Sequence, residues 1–214
     1  MSFRTSMKIQ AMIFAAMCAY GAYLAVRLPD RVPIHWNING QVDGYGSKWM
    51  NVLIGPGMVL FSLFLTLLIP NILPKNYTID RFGATYAKVM VLVSAMMAFI
   101  AVVIGQASMG GAFNVGQAMM AVMFLFFALL GNVMGKIKRN FFVGIRTPWT
   151  IADERVWDAT HRTAAKIWFF GGLVGFLLAM IGLPMAVSIV LLIGMSLWPV
   201  VDSFLIYKRL GVGS

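Results

Sequence analysis

Charged residues are scarce in this chain. Asp, Glu, Lys and Arg together make up 11% of its 214 residues, whereas hydrophobic residues make up 60%. Soluble domains contain about 25% charged residues, so the composition excludes an ordinary globular protein. It also excludes a disordered chain, because disorder requires low hydrophobicity. Cysteine is almost absent too: Cys18 is the single one, which excludes an internal disulfide.

Catalytic signatures are also absent. The sequence contains no nucleophile elbow, zincin motif or Walker loop, so we expect a protein that is not an enzyme and holds no cofactor or metal. Acidic residues are few, with 7 against 17 basic residues and a net charge of +10. In a soluble protein this excess would suggest nucleic acid binding. The placement of the charges instead favours a membrane protein with no direct nucleic acid partner.

The charges are missing from four long stretches, which are residues 9–26, 49–74, 89–135 and 167–201. A helix needs about 20 apolar residues to cross the hydrocarbon core of a bilayer. The stretches do not alternate between polar and apolar residues, as the strands of a membrane barrel would. They therefore predict transmembrane helices.

Two of these stretches are too long for one helix. The third contains a turn-rich polar segment at residues 106–117, and the fourth contains Gly182 and Pro184 near its centre. We therefore expect six spans; the alternative is five, with a single kinked helix at the end. The predicted spans are 9–28, 52–73, 86–107 and 115–134, followed by two tight spans within residues 164–207.

Basic residues favour six spans over five. Cytoplasmic loops of membrane proteins carry an excess of Lys and Arg. With six spans and both termini inside, only Arg27, Arg31 and Lys48 lie outside, whereas five spans would also place Lys208 and Arg209 outside. The first span resembles a signal peptide but lacks a good cleavage site, so we expect it to be retained. The predicted inside residues are Arg4, Lys8, Lys75, Arg81, Lys88, Lys136, Lys138, Arg139, Arg146, Arg155, Arg162, Lys166, Lys208 and Arg209.

The loop after the first span, predicted outside, is rich in turn residues. Pro33 favours an extended lead-in. The dipeptides Asn39-Gly40 and Asp43-Gly44 are typical of tight turns. The loop is therefore expected to be a shaped segment rather than a simple connector.

The same loop carries candidate binding residues. His35, Trp36 and Asn37 place an imidazole, an indole and an amide together at the membrane surface. The simpler alternative is that the aromatic residues lie at headgroup depth and that His35 is a solvated polar residue. A metal site at His35 and Asp43 would need a third ligand, and none is obvious nearby.

The loop before the fifth span, predicted inside, contains a helix start. Thr150 followed three residues later by Asp153 resembles a capping box. A helix should therefore begin near Ile151 and run directly into the fifth span at about Lys166.

On that helix, Asp153, Trp157 and His161 share one face. This face favours either an acid–base or metal site or an amphipathic helix that lies on anionic lipid headgroups. Just before it, residues 144–150 combine a glycine, an arginine, a proline and a tryptophan. This combination predicts one backbone shape that presents the Arg146 guanidinium beside the Trp149 indole.

These loops resemble a known family. The second loop resembles the signature of the SdpI family of bacterial immunity proteins, and the first resembles an uncharacterised domain that often precedes it. For the outer loop, the candidate ligand- or partner-binding residues are Pro33, His35, Trp36, Asn37, Gly40, Asp43, Gly44 and Lys48. For the inner loop, they are Asn132, Asn140, Gly144, Arg146, Thr147, Pro148, Trp149, Thr150, Trp157 and His161.

The resemblance implies a function. The best-known family member protects its producer from a secreted pore-forming or depolarising toxin peptide, the sporulation-delaying protein, and also recruits a cytoplasmic repressor to the membrane. By resemblance, we expect an all-α immunity protein of the bacterial cell membrane. A toxin peptide would bind its outer face, a cytoplasmic repressor its inner face, and anionic headgroups would surround it.

Two other functions are alternatives. The predicted units 1–110 and 111–214 each read as span, long loop, span, span, which would make two inverted three-helix halves and favour a transporter. Against transport, none of the seven acidic residues lies well inside a span. The weakest alternative is a membrane enzyme, with His161, Asp153 or Glu154 as acid–base groups and Arg146 as an anion clamp.

Overall fold

A computed structural model of the protein describes residues 1–72 and 83–211. Within them, six helices are long and apolar enough to cross a membrane. The predicted all-α, six-span architecture is therefore confirmed. Their order, with the shorter elements between them, is α1 Phe3–Arg27, β1 Arg31–Trp36, β2 Val42–Ser47, α2 Lys48–Asn71, α3 Gly83–Ser108, α4 Val115–Met134, α5 Pro148–Ala152, α6 Glu154–Met180 and α7 Met185–Arg209.

The helix bounds differ from the predicted ones mainly by extension. α1 begins at Phe3 rather than residue 9, and α2 begins at Lys48 rather than 52, because both helices continue through charged or polar residues at the membrane surface. The fourth charge-free stretch forms two helices, with a turn at Gly182, whose φ is +99°. Lys75 and Arg81, predicted inside, and residue 73, the predicted end of the second span, lie outside the described residues. Both termini inside stays a prediction.

Close backbone contacts hold α1 against α2. Pro56 lies inside α2 and has no N–H, so the Val52 carbonyl oxygen loses its partner within the helix. Gly21 of α1 packs directly against this oxygen: a Cβ on Gly21 would lie 2.7 Å from it. A side chain at this position would therefore push the two helices apart.

A similar contact between a glycine and a neighbouring backbone joins α4 to α6. A Cβ on Gly172 of α6 would lie 2.5 Å from the Ala128 backbone nitrogen of α4. Small residues allow membrane helices to approach closely, which compensates for the lack of a hydrophobic driving force between helices in lipid. The helices α1, α2 and α3 pack on one another, α6 packs on α4 and α7, and α3 contacts α4. Whether these two groups are separate inverted units stays a prediction.

A buried polar cluster links α1 to α2 and α3. The Gln10 side chain is fully buried, and its Oε1 accepts hydrogen bonds from Thr66 Oγ1 at 2.9 Å and Ser94 Oγ at 3.0 Å. Its Nε2 donates to Ser6 Oγ at 3.0 Å, and Ser6 donates in turn to the Ala87 carbonyl at 3.1 Å. Because unpaired polar groups are costly in a bilayer, this cluster fixes the relative register of the three helices.

The loop between α1 and α2 forms an antiparallel β-hairpin. Its register pairs Arg31 with Ser47 and Trp36 with Val42, and an irregularity falls at His35. Asn39-Gly40 is in the turn, as predicted, but the tight turn expected at Asp43-Gly44 is wrong because these residues lie in β2. Gly44 serves close packing there: a Cβ would lie 2.9 Å from the His35 Cβ.

The helix start in the second loop also needs correction. The capping residue is Thr147 rather than Thr150: the Thr147 side chain accepts from the Thr150 N–H, and the Thr150 side chain accepts from the Thr147 N–H. Asp153 ends α5 and begins α6, where its carboxylate accepts from the Arg155 N–H at 2.7 Å. The helix therefore starts three residues earlier than expected and breaks once. From Glu154 it runs unbroken into the fifth span, as predicted.

Candidate functional site

Two shaped segments lie at opposite ends of α4, which is 20 residues long. We call residues 31–47 the outer hairpin and residues 135–153 the inner loop, following the predicted topology. A helix of this length spans about 30 Å, so the two segments lie on opposite sides of the membrane core. They contain the sequence-predicted candidate residues, except Lys48 at the start of α2, Asn132 on α4 and the α6 residues Trp157 and His161.

Buried contacts anchor the outer hairpin to the helices. Val32 is fully buried against Leu24 and Val52. The Pro33 carbonyl accepts two hydrogen bonds, from Asn51 Nδ2 and from Ser108 Oγ, each at 3.2 Å. The hairpin is therefore fixed to α1, α2 and α3 and forms a rigid platform at the membrane surface.

The turn of the hairpin is closed by Asn37. Its Oδ1 accepts from the N–H of Asn39 at 2.9 Å and from the N–H of Gln41 at 3.0 Å. Gly40 takes a φ of +77° and packs against the Asn114 side chain at the start of α4. The turn is thus ordered by its own side chains and contacts the start of α4.

His35 and Asp43 form a hydrogen-bonded pair on the exposed side of the hairpin. His35 Nδ1 and Asp43 Oδ1 are 2.5 Å apart, and the two side chains are 70% and 43% exposed. Trp36 points the other way and packs among apolar side chains of α3 and α4. Lys48, also predicted to bind, pairs with Asp30 at 3.0 Å. Among the candidate residues of the hairpin, His35 and Asp43 are the exposed ones. Arg31 and Tyr45 are also exposed on the hairpin, with the guanidinium over the ring.

His161 lies at the centre of the inner loop contacts and is buried. Its Nε2 accepts the Ile145 N–H at 3.0 Å, and its Nδ1 lies 2.8 Å from the Trp157 carbonyl oxygen. These two bonds require a neutral ring with the proton on Nδ1. The ring stacks on Trp157 with 4.1 Å between centroids. Gly144 fits beside it with a φ of +118° because a Cβ there would contact Nε2. We call Gly144, Ile145, Trp157 and His161 the histidine clasp.

Further buried side chains shape the loop before the clasp. Asn140 is fully buried, and its Oδ1 accepts from the N–H groups of Phe142 and Val143, both at 2.8 Å. Trp157 Nε1 donates to the Ile137 carbonyl at 2.7 Å. The predicted face of Trp157 and His161 therefore packs into the protein instead of lying on lipid headgroups.

The second part of the inner loop docks on α7. Trp149 Nε1 donates to Ser203 Oγ at 2.5 Å, and the indole lies 5.1 Å from the Phe204 ring. Thr147 Oγ1 lies 3.3 Å from the same Ser203 hydroxyl. Thr150 donates to the Ile145 carbonyl at 2.9 Å, which connects this docking contact to the clasp.

Few of the inner candidate residues remain exposed. Asn132, Arg146 and Pro148 are exposed, whereas Asn140, Thr147, Thr150, Trp157 and His161 are buried, and Gly144 and Trp149 are half-buried. The Arg146 guanidinium donates to the Phe141 carbonyl rather than to the indole of Trp149. That these residues bind a ligand or partner stays a prediction, and Arg146 and Pro148 offer the accessible surface for it.

The helix junction at Asp153 contains an ion pair with Arg155. The Arg155 guanidinium, 2.9 Å from the carboxylate, holds the pKa of Asp153 below its ordinary value. Asp153 is therefore ionised as the cap of α6 over the neutral pH range. Within residues 1–72 and 83–211, no three His, Cys, Asp or Glu side chains lie together in a way that could hold a metal ion.

Sequence reasoning missed the anchoring residues Asn51, Ser108 and Ser203. Each is a polar residue in or beside a charge-free stretch, where an unpaired polar side chain would be costly. The scarcity of polar residues in these stretches is the signal that could have identified them. It marks a residue that needs a partner, although it does not identify the partner.

Comparisons with known proteins match both halves of the chain. Residues 136–203 match the SdpI/YfhL protein family, and residues 12–60 match the domain of unknown function DUF1648. The chain is 26% identical over 141 residues to the immunity protein SdpI of Bacillus subtilis (strain 168), which covers 65% of this chain and 65% of that relative. No solved structure matches. The resemblance found in the sequence is therefore confirmed: the chain is a multi-pass bacterial membrane protein that is similar to the SdpI/YfhL family over residues 136–203 and to DUF1648 over residues 12–60.

Proposed function

We propose that this chain is a membrane immunity protein that protects its producer from a secreted, membrane-active toxin peptide. The observation that carries the proposal is the similarity to an immunity protein over 141 residues. These aligned residues make up 65% of that relative, so its function is transferred here as a proposal. The geometry supports it through an anchored, exposed surface at one end of the helices.

The outer hairpin is the proposed toxin-facing surface. His35 and Asp43 are exposed on a hairpin whose backbone is fixed by Asn51 and Ser108. A rigid surface loses little conformational entropy when a partner binds, so more of the contact energy remains as affinity. The two side chains offer a polar hydrogen-bonding pair beside the apolar membrane surface, which suits an amphipathic peptide.

The inner loop is the proposed signalling surface. Arg146 and Pro148 are exposed on a loop that is otherwise held by buried bonds, and they would contact the cytoplasmic repressor. Signalling between two faces requires an element with two states whose equilibrium both sites change. The docking of Trp149 on α7 is the candidate for this element because it joins the loop to a membrane-spanning helix.

A survival assay tests the immunity proposal. The chain is expressed in a bacterium that is sensitive to the sporulation-delaying peptide and lacks its own immunity gene. We expect expression to raise survival in the presence of the peptide, and equal killing with and without the chain would contradict the proposal.

A matched pair of variants tests the toxin-facing surface. His35→Ala combined with Asp43→Ala should lower protection about tenfold, as expected for the loss of about 1.4 kcal/mol of binding. Asp30→Ala, which removes a carboxylate that is 97% exposed on the same face, should leave protection unchanged. Membrane levels of both variants are compared by immunoblot. Equal protection by both would exclude His35 and Asp43 from the contact.

A further inference from the structure

A lateral groove of about 430 Å³ lies between α3, α4 and α6. Ala95 and Phe99 line it from α3, Ala118 and Phe126 from α4, and Phe176 from α6, and every lining side chain is apolar. Phe99 is 55% exposed, so the groove opens on the membrane-facing surface. Only an occupant that is dissolved in the bilayer can enter it.

A polar cleft of about 240 Å³ lies at the outer end of the same helices. It is lined by Asn39 from the turn of the outer hairpin, by Asn114 and Gln117 from the start of α4, and by residues 182–185 between α6 and α7. Three amide side chains therefore meet at the membrane surface. No charged side chain is among the described residues that line the cleft.

The groove and the cleft are lined by neighbouring residues of two helices. On α4, Gln117 lines the cleft and the next residue, Ala118, lines the groove. On α6, Met180 lines the groove two residues before Gly182, which lines the cleft. We call the combined surface the lateral track. It is apolar within the membrane and polar at the outer surface, beneath the tip of the hairpin.

The absence of charged side chains from the described lining of the cleft favours a peptide over a phospholipid as the occupant. A phosphate headgroup is best bound by Arg or Lys, and the cleft has neither among its lining residues. Amide side chains can both donate and accept, which matches the N–H and C=O groups of a peptide backbone. Gln117 Nε2 already donates to the Ala179 and Met180 carbonyls, and Asn114 Oδ1 accepts the Gln117 N–H. The Gln117 side-chain carbonyl oxygen, the Asn114 amide nitrogen and the Asn39 side chain are therefore the groups offered to a peptide. A peptide that leaves the hydrocarbon region must satisfy these groups, and the cleft supplies partners where the groove ends.

We propose that the lateral track binds the toxin peptide itself, with an apolar segment of the peptide in the groove and its uncharged outer backbone against Asn39, Asn114 and Gln117. This inference rests on the proposed function and extends it by naming the route. The peptide enters sideways from the bilayer, and its captured apolar face is no longer available for assembly into a pore. The outer hairpin then contacts only the part of the peptide that remains at the surface.

A groove-filling variant tests the track. Ala95→Phe places a ring in the groove from an exposed position of α3, so it should fold normally. Ala16→Phe adds the same ring to an exposed position near the middle of α1 and is the control. With matched membrane levels, Ala95→Phe should reduce survival in the sporulation-delaying peptide at least about tenfold, and Ala16→Phe should match the parent chain.

Photo-crosslinking identifies the occupant. p-Benzoylphenylalanine replaces Phe126, which lines the groove, or Phe170, which is 63% exposed elsewhere on α6. In membranes treated with the sporulation-delaying peptide, the first position should crosslink to the peptide and the second should not. If Phe126 crosslinks only to phospholipid and the yield is unchanged by the peptide, the track binds lipid and the inference is wrong.

The outcomes separate the two proposals. If the parent chain gives no protection, the proposed function fails. If the parent chain protects, but Ala95→Phe protects equally and no peptide crosslink forms at position 126, the immunity function stands and the lateral track is refuted.

Discussion

Gly144→Ala is the sharpest test of the histidine clasp. The backbone at Gly144 has a φ of +118°, which side-chain-bearing residues rarely adopt. A Cβ there would also contact His161 Nε2 and lie 3.2 Å from the Trp157 ring. The substitution therefore forces either the backbone or the imidazole to move, and both movements break the bond between the Ile145 N–H and His161.

The expected loss follows from two costs. Holding alanine in this backbone region costs about 1–3 kcal/mol. Leaving the buried Ile145 N–H without its acceptor costs about 1–3 kcal/mol more. The free energy needed to open the inner loop should therefore fall by about 2–6 kcal/mol. Since 1.4 kcal/mol corresponds to a factor of ten, the open population should rise at least about 30-fold.

Limited proteolysis of the purified protein in detergent measures this change. Trypsin cleaves after Arg146 only when a stretch of the surrounding loop unfolds, so the cleavage rate follows the open population. Gly135→Ala is the matched control because Gly135 has a helical φ of −66° and its added Cβ would meet Ala165 Cβ at an ordinary 3.5 Å. We expect faster cleavage at Arg146 in Gly144→Ala only. Equal rates in the two variants would refute the clasp.

Three further results are expected. The predicted topology is tested in a chain whose native cysteine has been replaced by serine. An impermeant maleimide should label Tyr45→Cys on intact cells but Pro148→Cys only after permeabilisation. Labelling of both variants on intact cells would refute the topology. Asn51→Leu should speed hydrogen exchange in β1 by roughly 5–150-fold, because it removes a buried donor worth about 1–3 kcal/mol. Unchanged exchange would show that other contacts anchor the hairpin. A thermal-stability cycle of Trp149→Phe and Ser203→Ala should give a coupling energy of about 1 kcal/mol, and additive effects would contradict the docking contact.

The six spans could be predicted because the bilayer imposes a simple rule. Every backbone group in the hydrocarbon region needs a partner within its own segment, so a long charge-free stretch has one structure available. The hairpin was not predicted because its pairing depends on a bulge at His35 and on anchoring by Asn51 and Ser108. The last of these residues lies 73 positions after His35, and no local pattern connects the two.

The inner loop shows a different limit of sequence reasoning. The sequence predicts one backbone shape for its unusual residues, but it does not reveal which way a side chain points, and Arg146 contacts Phe141 rather than Trp149. His161 and Trp157 have side chains that are typical of binding sites. Here His161 accepts the Ile145 N–H, Trp157 donates to the Ile137 carbonyl, and both rings pack against Gly144. The distinction depends on burial, which follows from how α6 packs on α4. Arg146 remains exposed because the loop turns its side chain outward.

Helix α7 extends from the polar cleft to the inner loop. Its first residue, Met185, lines the polar cleft, and Ser203 near its inner end holds Trp149 of the inner loop. Pro199 lies between them and has no N–H for the Met195 carbonyl, which instead accepts from Trp168 Nε1 of α6 at 2.9 Å.

A hydrogen bond of this kind contributes about 1 kcal/mol net, so α7 can bend at Pro199 at low cost if Trp168 releases the Met195 carbonyl. A peptide that moves the outer end of α7 would therefore act on Ser203 and the inner loop through one bent helix. Coupling between the two faces then does not require a network of many side-chain contacts. A single helix with one weakened turn joins the cleft to the loop.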